Sequence, residues 1–403
     1  MRSLHRVRLF ACALACLCVV TGCQGGETLT IPPDVPARPD SGRIASAAYA
    51  VPIDDGRSRL QALRASHHYP ALSVAIAVGR ETIWAEAWGW ASIEHKTAAT
   101  TASRFPVASV SKPMAAAVVM RLAERGLLDL DHDVREYVPD FPKKAYPITS
   151  RQLLSHQAGI RHYRRIRTRP WLSEAYLNRD FPDLTSALTL FADDRLAFEP
   201  DAGFLYSTFG YTLLGAVVEG ATGKRFIDVL RDELLTPNRM SSTGPDNSLG
   251  VTGRTSEYMA TKEPGSVRAA RRTNSSYKWS GGGLLSTATD LVRFGEGMLD
   301  DEIVSANARN EMFTPRLLRN GTENPMRYGL GWRAASVPDP ADPSRQISVV
   351  YHGGSGIGAE AALVVIPEAG VAVAITGNAS TGGDAAMADV AIALALTFVQ
   401  KRQ

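Results

Sequence analysis

The sequence predicts an α+β domain in which one antiparallel sheet is built from both chain ends, flanked by helices, with a mostly helical subdomain inserted. Residues 72–78 are apolar and β-branched, and a Gly-Arg turn joins them to residues 83–93, which predicts a hairpin. Residues 361–366 and 371–375, separated by Pro-Glu-Ala-Gly, predict a second hairpin. Residues 112–290 lie between these ends and are mostly helical and loop in pattern. A single sheet covered by helices accounts for this distribution.

Two further segments support the same architecture. Residues 57–65 have the pattern of a short amphipathic helix, and residues 387–400 predict a terminal helix. Trp84, Trp88 and Trp90 occur at even spacing, which predicts that they share one face of a strand. We expect a functional site in the cleft between the sheet and the inserted helices.

The first 22 residues have the pattern of an export signal. Three arginines precede residues 9–20, an apolar run with the length of a signal-peptide core and too short to span a bilayer. The run ends in Val-Thr-Gly-Cys, which resembles a bacterial lipobox and implies cleavage before Cys23 and acylation of that residue. Ordinary secretion with later cleavage is the alternative. We expect a lipoprotein of the cell envelope that faces the periplasm, and Gln24 favours the outer membrane by analogy with bacterial sorting patterns.

The predicted organisation is a signal peptide at 1–22, a lipidated cysteine with a Pro-rich tether at 23–50, and one domain at 51–403. All four cysteines lie within the first 23 residues. The remainder therefore has no disulfide, thiol nucleophile or cysteine metal site, and it is long enough to be stabilised by its core alone.

Charge and motifs exclude several classes of function. The three arginines of the signal segment, which has no acidic residue, account for the whole formal charge of +3, so the mature chain is neutral. A neutral chain argues against nucleic acid as the main partner. The sequence has no Walker motif or dinucleotide fingerprint, and its histidines lack the spacing of zinc ligands, so no cofactor or metal is expected.

Ser109 and Lys112 form an S-x-x-K pattern at the start of a strong helix-forming run that ends at Gly126. Residues three apart on a helix share a face, so the hydroxyl and the amine are presented together. A lysine in this position can be the base that activates a serine nucleophile. An unperturbed lysine is neutral in only about one molecule in 2,500 at pH 7, so burial and a nearby cation would have to lower its pKa.

A second match to the same pattern joins Ser275 and Lys278. Trp279, Ser280 and three glycines follow it, and we expect no helix there to hold the two side chains on one face. The sequence therefore favours Ser109 as the nucleophile.

Two other segments carry possible chemistry. Tyr206 lies in an aromatic-rich loop before a predicted helix at 211–220, and its hydroxyl could relay a proton beside a Ser–Lys pair, although such loops are more often core. A His-Gly-Gly-Ser-Gly run begins at His352 after a predicted strand at 347–351. Its backbone N–H groups could stabilise an oxyanion, and a plain glycine turn is the alternative.

The order of the three motifs, S-x-x-K, Tyr-x-polar and (Lys/His)-x-Gly, resembles that of the class C β-lactamase, D,D-peptidase and esterase superfamily over roughly residues 55–400. Residues 153–160 are similar to the family's Ser-His-Thr-Ser-Gly segment, and residues 282–290 to its glycine turn before a capped helix. Within the superfamily the chain has a closer resemblance to the mitochondrial serine β-lactamase-like branch. The stretches that carry this resemblance are 155–163, 204–214, 274–283 and 352–354.

The resemblance implies a role for each motif. Ser109 would be the acylated nucleophile, Lys112 its general base or proton shuttle, and Tyr206 the group that completes the proton network and protonates the leaving group. The backbone N–H groups of Ser109 and Ser355 would form the oxyanion hole.

The sequence departs from the family pattern at two places. Thr208 replaces an asparagine amide that would contact the acyl side chain, and His352-Gly353-Gly354 replaces Lys-Thr-Gly, a cation and a hydroxyl that grip the substrate carboxylate. The substrate-binding candidates are Thr208, His352, Gly353, Gly354 and Ser355. Loss of a charge-assisted contact costs roughly 1.5–3 kcal/mol, so we expect poor penicillin turnover and a preference for peptides or esters without that carboxylate.

An arginine-rich run follows the Ser-His-Gln-Ala-Gly segment and has two interpretations. Its members are Arg161, Arg164, Arg165, Arg167 and Arg169. They could admit an anionic substrate or a lipid head group, or they could form a solvated loop, which is the commoner role of such runs.

Three functions are consistent with the sequence. The first is a lipid-anchored serine hydrolase, a peptidase or esterase that forms an acyl-enzyme. The second is a β-lactamase or D,D-carboxypeptidase acting on cell-wall peptides. The third is a catalytically silent scaffold lipoprotein, against which the joint presence of Ser109, Lys112 and Tyr206 argues.

Overall fold

Strands from the two ends of the chain pair in one sheet, as predicted. The computed structural model describes residues 27–33, 40–164, 172–247 and 250–402. In chain order its strands are β1 (Thr28–Thr30), β2 (Ile44–Ala45), β3 (Ala71–Val78), β4 (Glu81–Ser92), β5 (Thr97–Ala98), β6 (Phe105–Pro106), β7 (Gly244–Pro245), β8 (Tyr258–Ala260), β9 (Ser266–Ala269), β10 (Leu284–Ser286), β11 (Arg333–Pro338), β12 (Gln346–Gly356), β13 (Ala359–Ile366), β14 (Val371–Gly377) and β15 (Ala379–Ser380).

The α-helices lie mainly in the middle of the chain and at its two ends. They are α1 (Ala50–His67), α2 (Ser111–Glu124), α3 (Ser150–Leu154), α4 (Leu184–Ala187), α5 (Thr208–Thr222), α6 (Phe226–Leu230), α7 (Trp279–Gly282), α8 (Ala288–Leu299), α9 (Ala306–Phe313) and α10 (Asp384–Arg402). In the described part of the chain no helix combines the length and the apolar character that crossing a membrane requires.

The main sheet has the order β11-β12-β13-β14-β3-β4-β2, with β5 paired to β4. All its pairings are antiparallel, and β14 joins the two chain ends by lying against β3 with Val373 opposite Ile76. Two smaller sheets have the orders β1-β9-β8-β15 and β6-β10-β7. The predicted α+β architecture is therefore confirmed.

The two faces of the main sheet are covered by different helices, which explains its nearly continuous apolar strands. On β3, Ala75 and Ala77 belong to the core shared with the inserted helices, whereas Val74 and Ile76 face the core under α1 and α10. The small side chains let α8 approach the sheet closely. A Cβ atom at Gly295 of α8 would lie 3.0 Å from the Ala372 side chain.

The strand predicted to carry three tryptophans on one face is only partly regular. Trp84 and Trp88 share a core, with ring centroids 6.1 Å apart. Gly89 follows with φ +87°, and Trp90 instead donates its indole N–H to the carbonyl of Pro32. The change of backbone direction at Gly89 separates Trp90 from the other two rings.

Part of the segment predicted as a tether packs on the domain. β1 pairs antiparallel with β9, so Thr28 lies opposite Arg268. Further along, the Asp40 carboxylate accepts hydrogen bonds from the backbone and hydroxyl of Thr101, at 2.8 and 2.7 Å. The pairing was not foreseen because a three-residue strand has little local signal. The signal peptide and Cys23 lie outside the described residues.

Candidate active site

A cavity of about 710 Å³ lies between the main sheet and the inserted helices, where the sequence placed a site. Most of the predicted site residues line it: Ser109, Tyr206, Thr208, Gly353 and Ser355. Other lining residues used below are His162, Lys278, Gly281, Arg333 and Asp384.

A strained turn presents Ser109. A 3₁₀ turn at Ala108–Val110 leads directly into α2, and Ala108 has φ +44°. That left-handed conformation costs an alanine roughly 1 kcal/mol and is typical of functional sites. The Ser111 hydroxyl stabilises the turn by donating to the Ala108 carbonyl at 2.7 Å. The prediction that Ser109 and Lys112 lie on one face is confirmed by their contact.

Lys112 is fully buried beneath Ser109 and is held by three oxygens. Its Nζ lies 2.6 Å from the carbonyl oxygen of Gly281, 3.1 Å from Oγ of Ser109 and 3.3 Å from Oγ1 of Thr208. Burial, with smaller contributions from the charges of Lys278 and Arg333, holds the pKa of Lys112 well below its ordinary value. A neutral amine has two N–H donors and one lone pair, which matches this set of partners.

Because a carbonyl only accepts, one Lys112 N–H points at Gly281. When the second N–H points at Thr208, the lone pair is left facing the Ser109 hydroxyl. Thr208, predicted to contact substrate in place of asparagine, thus holds the lysine as well as lining the cavity. The arrangement suits proton transfer from Ser109 to Lys112.

Tyr206 lies beside the same pair. Its ring is 4.7 Å from the Lys112 Nζ and 4.3 Å from the ring of His156, measured to ring centroids. Burial raises the pKa of Tyr206 to about 12, although a hydrogen bond with Ser109 and the charge of Arg333 oppose the shift. The phenol therefore keeps its proton at neutral pH and can donate it near Ser109.

The glycine run at the end of β12 passes directly over the Ser109 turn. A Cβ atom at Gly354 would overlap the carbonyl oxygen of Val107 and lie 3.2 Å from the backbone nitrogen of Ser109. Only a residue without a side chain lets the two backbones come this close. Ser355 is exposed and lines the cavity together with Ser109, the other residue whose backbone N–H is predicted to bind the oxyanion.

His352 does not line the cavity, contrary to the prediction that it binds substrate. The side chain is buried, with Nδ1 2.6 Å from the Gly353 carbonyl and Nε2 2.9 Å from the Tyr328 hydroxyl. Since the carbonyl can only accept, Nδ1 carries the proton and Tyr328 donates to Nε2. Burial and the charges of Lys112 and Arg333 hold the pKa of His352 well below its ordinary value. Gly354 also lies behind the lining, whereas Gly353 belongs to it.

Two cations in the lining were missed by the sequence reasoning. Lys278 belongs to the second S-x-x-K match, but Ser275 is buried and does not line the cavity. As expected, no helix contains both Ser275 and Lys278, because a 3₁₀ turn begins at Ser276 and the short α7 begins at Trp279. The α7 helix supplies the Gly281 carbonyl to Lys112. Arg333 carried no sequence signal, since only the pairing of β11 with β12 brings it to the site.

His162 is a further lining residue that motif analysis did not select. Its Nδ1 accepts the backbone N–H of Thr208 at 3.1 Å, and its ring stacks on Tyr163 at 4.3 Å. In the neutral ring this leaves the proton on Nε2. Across the described residues, no three histidine, cysteine or acidic side chains converge in a way that could hold a metal ion.

Two members of the arginine run form ion pairs within the domain, a role that neither interpretation anticipated. Arg161 pairs with Glu174 at 2.7 Å and Asp194 at 2.6 Å, and its guanidinium lies over the ring of Phe209. Arg164 also contacts Asp194. These two residues fix the loop to the domain. The other three members of the run, Arg165, Arg167 and Arg169, lie outside the described residues.

Known proteins are similar to this chain in sequence and in fold. The chain is 28% identical to the mitochondrial serine beta-lactamase-like protein of Homo sapiens in an alignment of 415 positions, which covers 83% of this chain and 75% of the relative. It is 27% identical to penicillin-binding protein 4* of Bacillus subtilis over 281 residues, or 66% of this chain and 60% of that one.

A solved structure has the same fold. The hydrolase EstCE1, described as having promiscuous acyltransferase activity, superposes with a TM-score of 0.69 at 22% identity and covers 86% of this chain and 98% of its own. Residues 57–397 match the family described as Beta-lactamase. The match spans most of the chain and the whole cavity-bearing region, so this chain belongs to the β-lactamase family of serine hydrolases.

Proposed function

We propose that the chain is a peptidase or esterase that forms an acyl-enzyme at Ser109, with Lys112 as general base and Tyr206 as proton donor. The observation that carries this proposal is the 3.1 Å contact between Ser109 Oγ and the Nζ of a buried Lys112 whose pKa is lowered. Burying a charged ammonium is unfavourable, so burial favours the neutral amine, which is the form that can take a proton from Ser109. The serine that this amine contacts lines the cavity, where a substrate can reach it.

In the acylation step, Lys112 removes the proton from Ser109 as Oγ attacks the substrate carbonyl. The oxyanion that forms accepts hydrogen bonds from the backbone N–H groups of Ser109 and Ser355. Tyr206 donates its proton to the departing amine or alcohol, and the proton held by Lys112 then restores the tyrosine. The C–O or C–N bond to the leaving group breaks, and the acyl group remains bound to Ser109 as an ester.

Deacylation runs the same transfers with water in place of the leaving group. Water attacks the acyl ester while one of its protons passes to neutral Lys112, and Ser109 Oγ takes a proton back from Lys112 as its bond to the acyl group breaks and the acid is released. The cavity is open enough beside Ser109 to admit both an acyl group and water, because Ser109 and Ser355 are not buried.

Labelling with a fluorophosphonate probe tests the proposal. The wild-type soluble domain, begun after Cys23, is expected to label at Ser109, whereas Ser109→Ala and Lys112→Ala are not. The matched control is Ser275→Ala, the serine of the second S-x-x-K pattern, which should label like wild type. Absence of labelling in a folded wild-type domain would favour the scaffold alternative, and screening with peptide and ester libraries follows a positive result.

Cell-wall peptide hydrolysis is the second candidate. It is favoured by the two cations in the lining, Lys278 and Arg333, and disfavoured by a neutral, buried His352 at the position of the family's lysine. Turnover of nitrocefin and of a D-alanyl-D-alanine peptide separates it from general peptide or ester hydrolysis.

We also propose that the chain is anchored by lipid at Cys23 and faces the periplasm from the outer membrane. The support is the lipobox-like Val-Thr-Gly-Cys sequence. With β1 paired on the domain from Thr28, only residues 24–27 would separate the lipid from the fold, roughly 14 Å when extended. Metabolic labelling with a palmitate analogue, lost in Cys23→Ser, tests the anchor, and membrane fractionation tests the location.

A further inference from the structure

Arg333 is a cation that lines the active-site cavity and has no acidic partner among the described residues. It is the first residue of β11 and lies opposite Tyr351 of β12, two positions before Gly353. This register puts its side chain on the same face of the sheet as Gly353 and Ser355, both of which line the cavity. The position is thus built by the sheet rather than by a mobile loop.

The guanidinium has few protein partners. Its Nε is buried and has no hydrogen-bond acceptor among the described residues, and an NH₂ nitrogen makes a weak contact of 3.8 Å with the Met326 sulfur. No carboxylate of the described residues lies within ion-pair distance of it, although Asp384 lines the same cavity. A partly buried charge without a counter-ion is unfavourable, and an incoming anion would relieve that cost.

Lys278 adds a second positive charge to the same lining. Its nearest aromatic contact is the Tyr277 ring at 5.4 Å, and it too has no ion pair among the described side chains. Among the described residues that line the cavity, Arg333 and Lys278 outnumber the one carboxylate, Asp384, and this charge balance favours anions.

We propose that Arg333, assisted by Lys278, binds a carboxylate of the substrate on the leaving-group side of Ser109. The side follows from the neighbours of β11. Tyr328, which forms a bridge with Arg333, has its ring 6.2 Å from that of Tyr206, the proposed proton donor to the leaving group. The charge of Arg333 also acts on the Tyr206 phenol. The proposal rests on the proposed function, because it names the substrate class of that same site.

This assignment revises the expectation that substrates lack the carboxylate. His352, which stands at the position of the family's lysine, is buried and neutral. The neighbouring strand β11 instead supplies a cation, Arg333. Arginine offers a planar fork that matches a carboxylate in two hydrogen bonds. Arg333, the residue that determines specificity, would then lie outside the His-Gly-Gly motif.

Two acetate esters with matched leaving groups test the inference. They are 3-carboxyphenyl acetate and 3-carbamoylphenyl acetate, whose leaving phenols have nearly the same shape but differ in charge. We expect wild type to prefer the carboxylate ester in kcat/KM, and Arg333→Gln to lower that preference roughly 10- to 100-fold. Arg333→Lys should retain part of it, since it keeps the charge and loses the fork. The exposed Arg59→Gln is the control and should behave as wild type.

The decisive quantity is the ratio of kcat/KM for the carboxylate ester to kcat/KM for the carboxamide ester. Arg333 also lowers the pKa of Lys112, so both rates are expected to change in Arg333→Gln. An unchanged ratio in that variant would overturn the inference. A carboxylate preference that survives in Arg333→Gln and disappears in Lys278→Gln would overturn it as well, by moving the contact to the lysine.

A binding measurement separates this inference from the proposed function. Calorimetry on Ser109→Ala compares 3-hydroxybenzoate with 3-hydroxybenzamide, the two leaving groups, and needs no catalysis. Tighter binding of the benzoate, lost in the Ser109→Ala, Arg333→Gln double variant, supports the carboxylate site even if neither ester is hydrolysed. Equal affinities would refute the site, whereas absence of fluorophosphonate labelling at Ser109 in the folded wild-type domain would refute the proposed function.

Discussion

The carbonyl oxygen of Gly281 lies 2.6 Å from Nζ of Lys112, and this contact orients the lysine toward Ser109. The carbonyl takes one N–H of the amine and belongs to the short α7, whose preceding residue Lys278 places a positive charge in the same cavity. One segment therefore both holds the lysine and disfavours its charged form. The geometry of the Ser109–Lys112 pair therefore depends on α7 as much as on the S-x-x-K spacing.

The first prediction concerns the pH dependence of Ser109 reactivity. A neighbouring cation destabilises the charged form of Lys112 and so lowers its pKa. Removing the cation in Lys278→Gln raises that pKa, so the base becomes protonated at a higher pH. The acid limb of the fluorophosphonate labelling rate should therefore move to higher pH.

The matched control for this experiment is Lys262→Gln, which removes an exposed lysine outside the cavity lining. Its profile should superimpose on that of wild type. A Lys278→Gln profile that does not move, or moves to lower pH, is incompatible with an electrostatic effect of Lys278 on Lys112.

The second prediction concerns Tyr206 and the leaving group. With a pKa of about 12, its phenol is protonated throughout the neutral range and serves as an acid. Tyr206→Phe should slow hydrolysis of an alkyl ester by roughly 10²- to 10⁴-fold, the range of a general acid, and of the matched p-nitrophenyl ester much less, because nitrophenolate leaves without a proton. Equal losses with both esters would instead assign Tyr206 a role in holding the site together.

The third prediction contrasts two adjacent glycines. A Cβ atom at Gly353 meets nothing within 4 Å, whereas one at Gly354 collides with the backbone of Val107 and approaches Ser109. Gly353→Ala should keep the thermal stability of wild type, and Gly354→Ala should lose about 1–3 kcal/mol together with Ser109 labelling. Thermal unfolding and labelling of both variants check this, and equal tolerance of the two substitutions would show that β12 does not pack on the turn as described.

The fourth prediction concerns acid stability. His352 is buried and neutral, with its folded-state pKa below the unfolded value of about 6.5. Below that pH the unfolded chain takes up a proton that the folded chain does not, so stability is present above pH 6.5 and is lost as the pH falls toward the folded pKa. His352→Gln should flatten this loss in melting temperature between pH 7 and pH 5.

His156 is buried in the same way and should leave a residual slope in that variant. The exposed His95 provides the control, because His95→Gln should retain the full wild-type slope. A His352→Gln variant as acid-sensitive as wild type would mean that His352 is charged in the folded protein.

The fold was largely predictable because its signals are local. Residues 371–375 are apolar at every position and residues 72–78 at every position except Ser73, since both faces of the sheet are covered, and short β-branched runs of this kind are typical of buried strands. The Ser109–Lys112 pair was predictable for the same reason, since helical spacing fixes which side chains meet. By contrast, β1 is three residues long and gains its stability from Arg268 and its neighbours in distant sequence.

The rest of the site depends on strand pairing that no short pattern encodes. Arg333 reaches the cavity only because β11 lies against β12 with Tyr351 opposite it. His352 was placed in the substrate site by its motif, yet the Tyr328 hydroxyl pairs with its ring and keeps it behind the lining. Motif position thus predicted where the backbone runs and did not predict which side chains face the substrate.

Intact-protein mass spectrometry of a quenched reaction tests the central claim most directly. The soluble domain is mixed with a slowly hydrolysed ester, acidified within seconds and weighed, beside Ser109→Ala. The account predicts one added acyl group, located on Ser109 by peptide mapping and absent from the variant. Hydrolysis of the ester with no adduct at any time, or an adduct that persists in Ser109→Ala, would contradict an acyl-enzyme at Ser109.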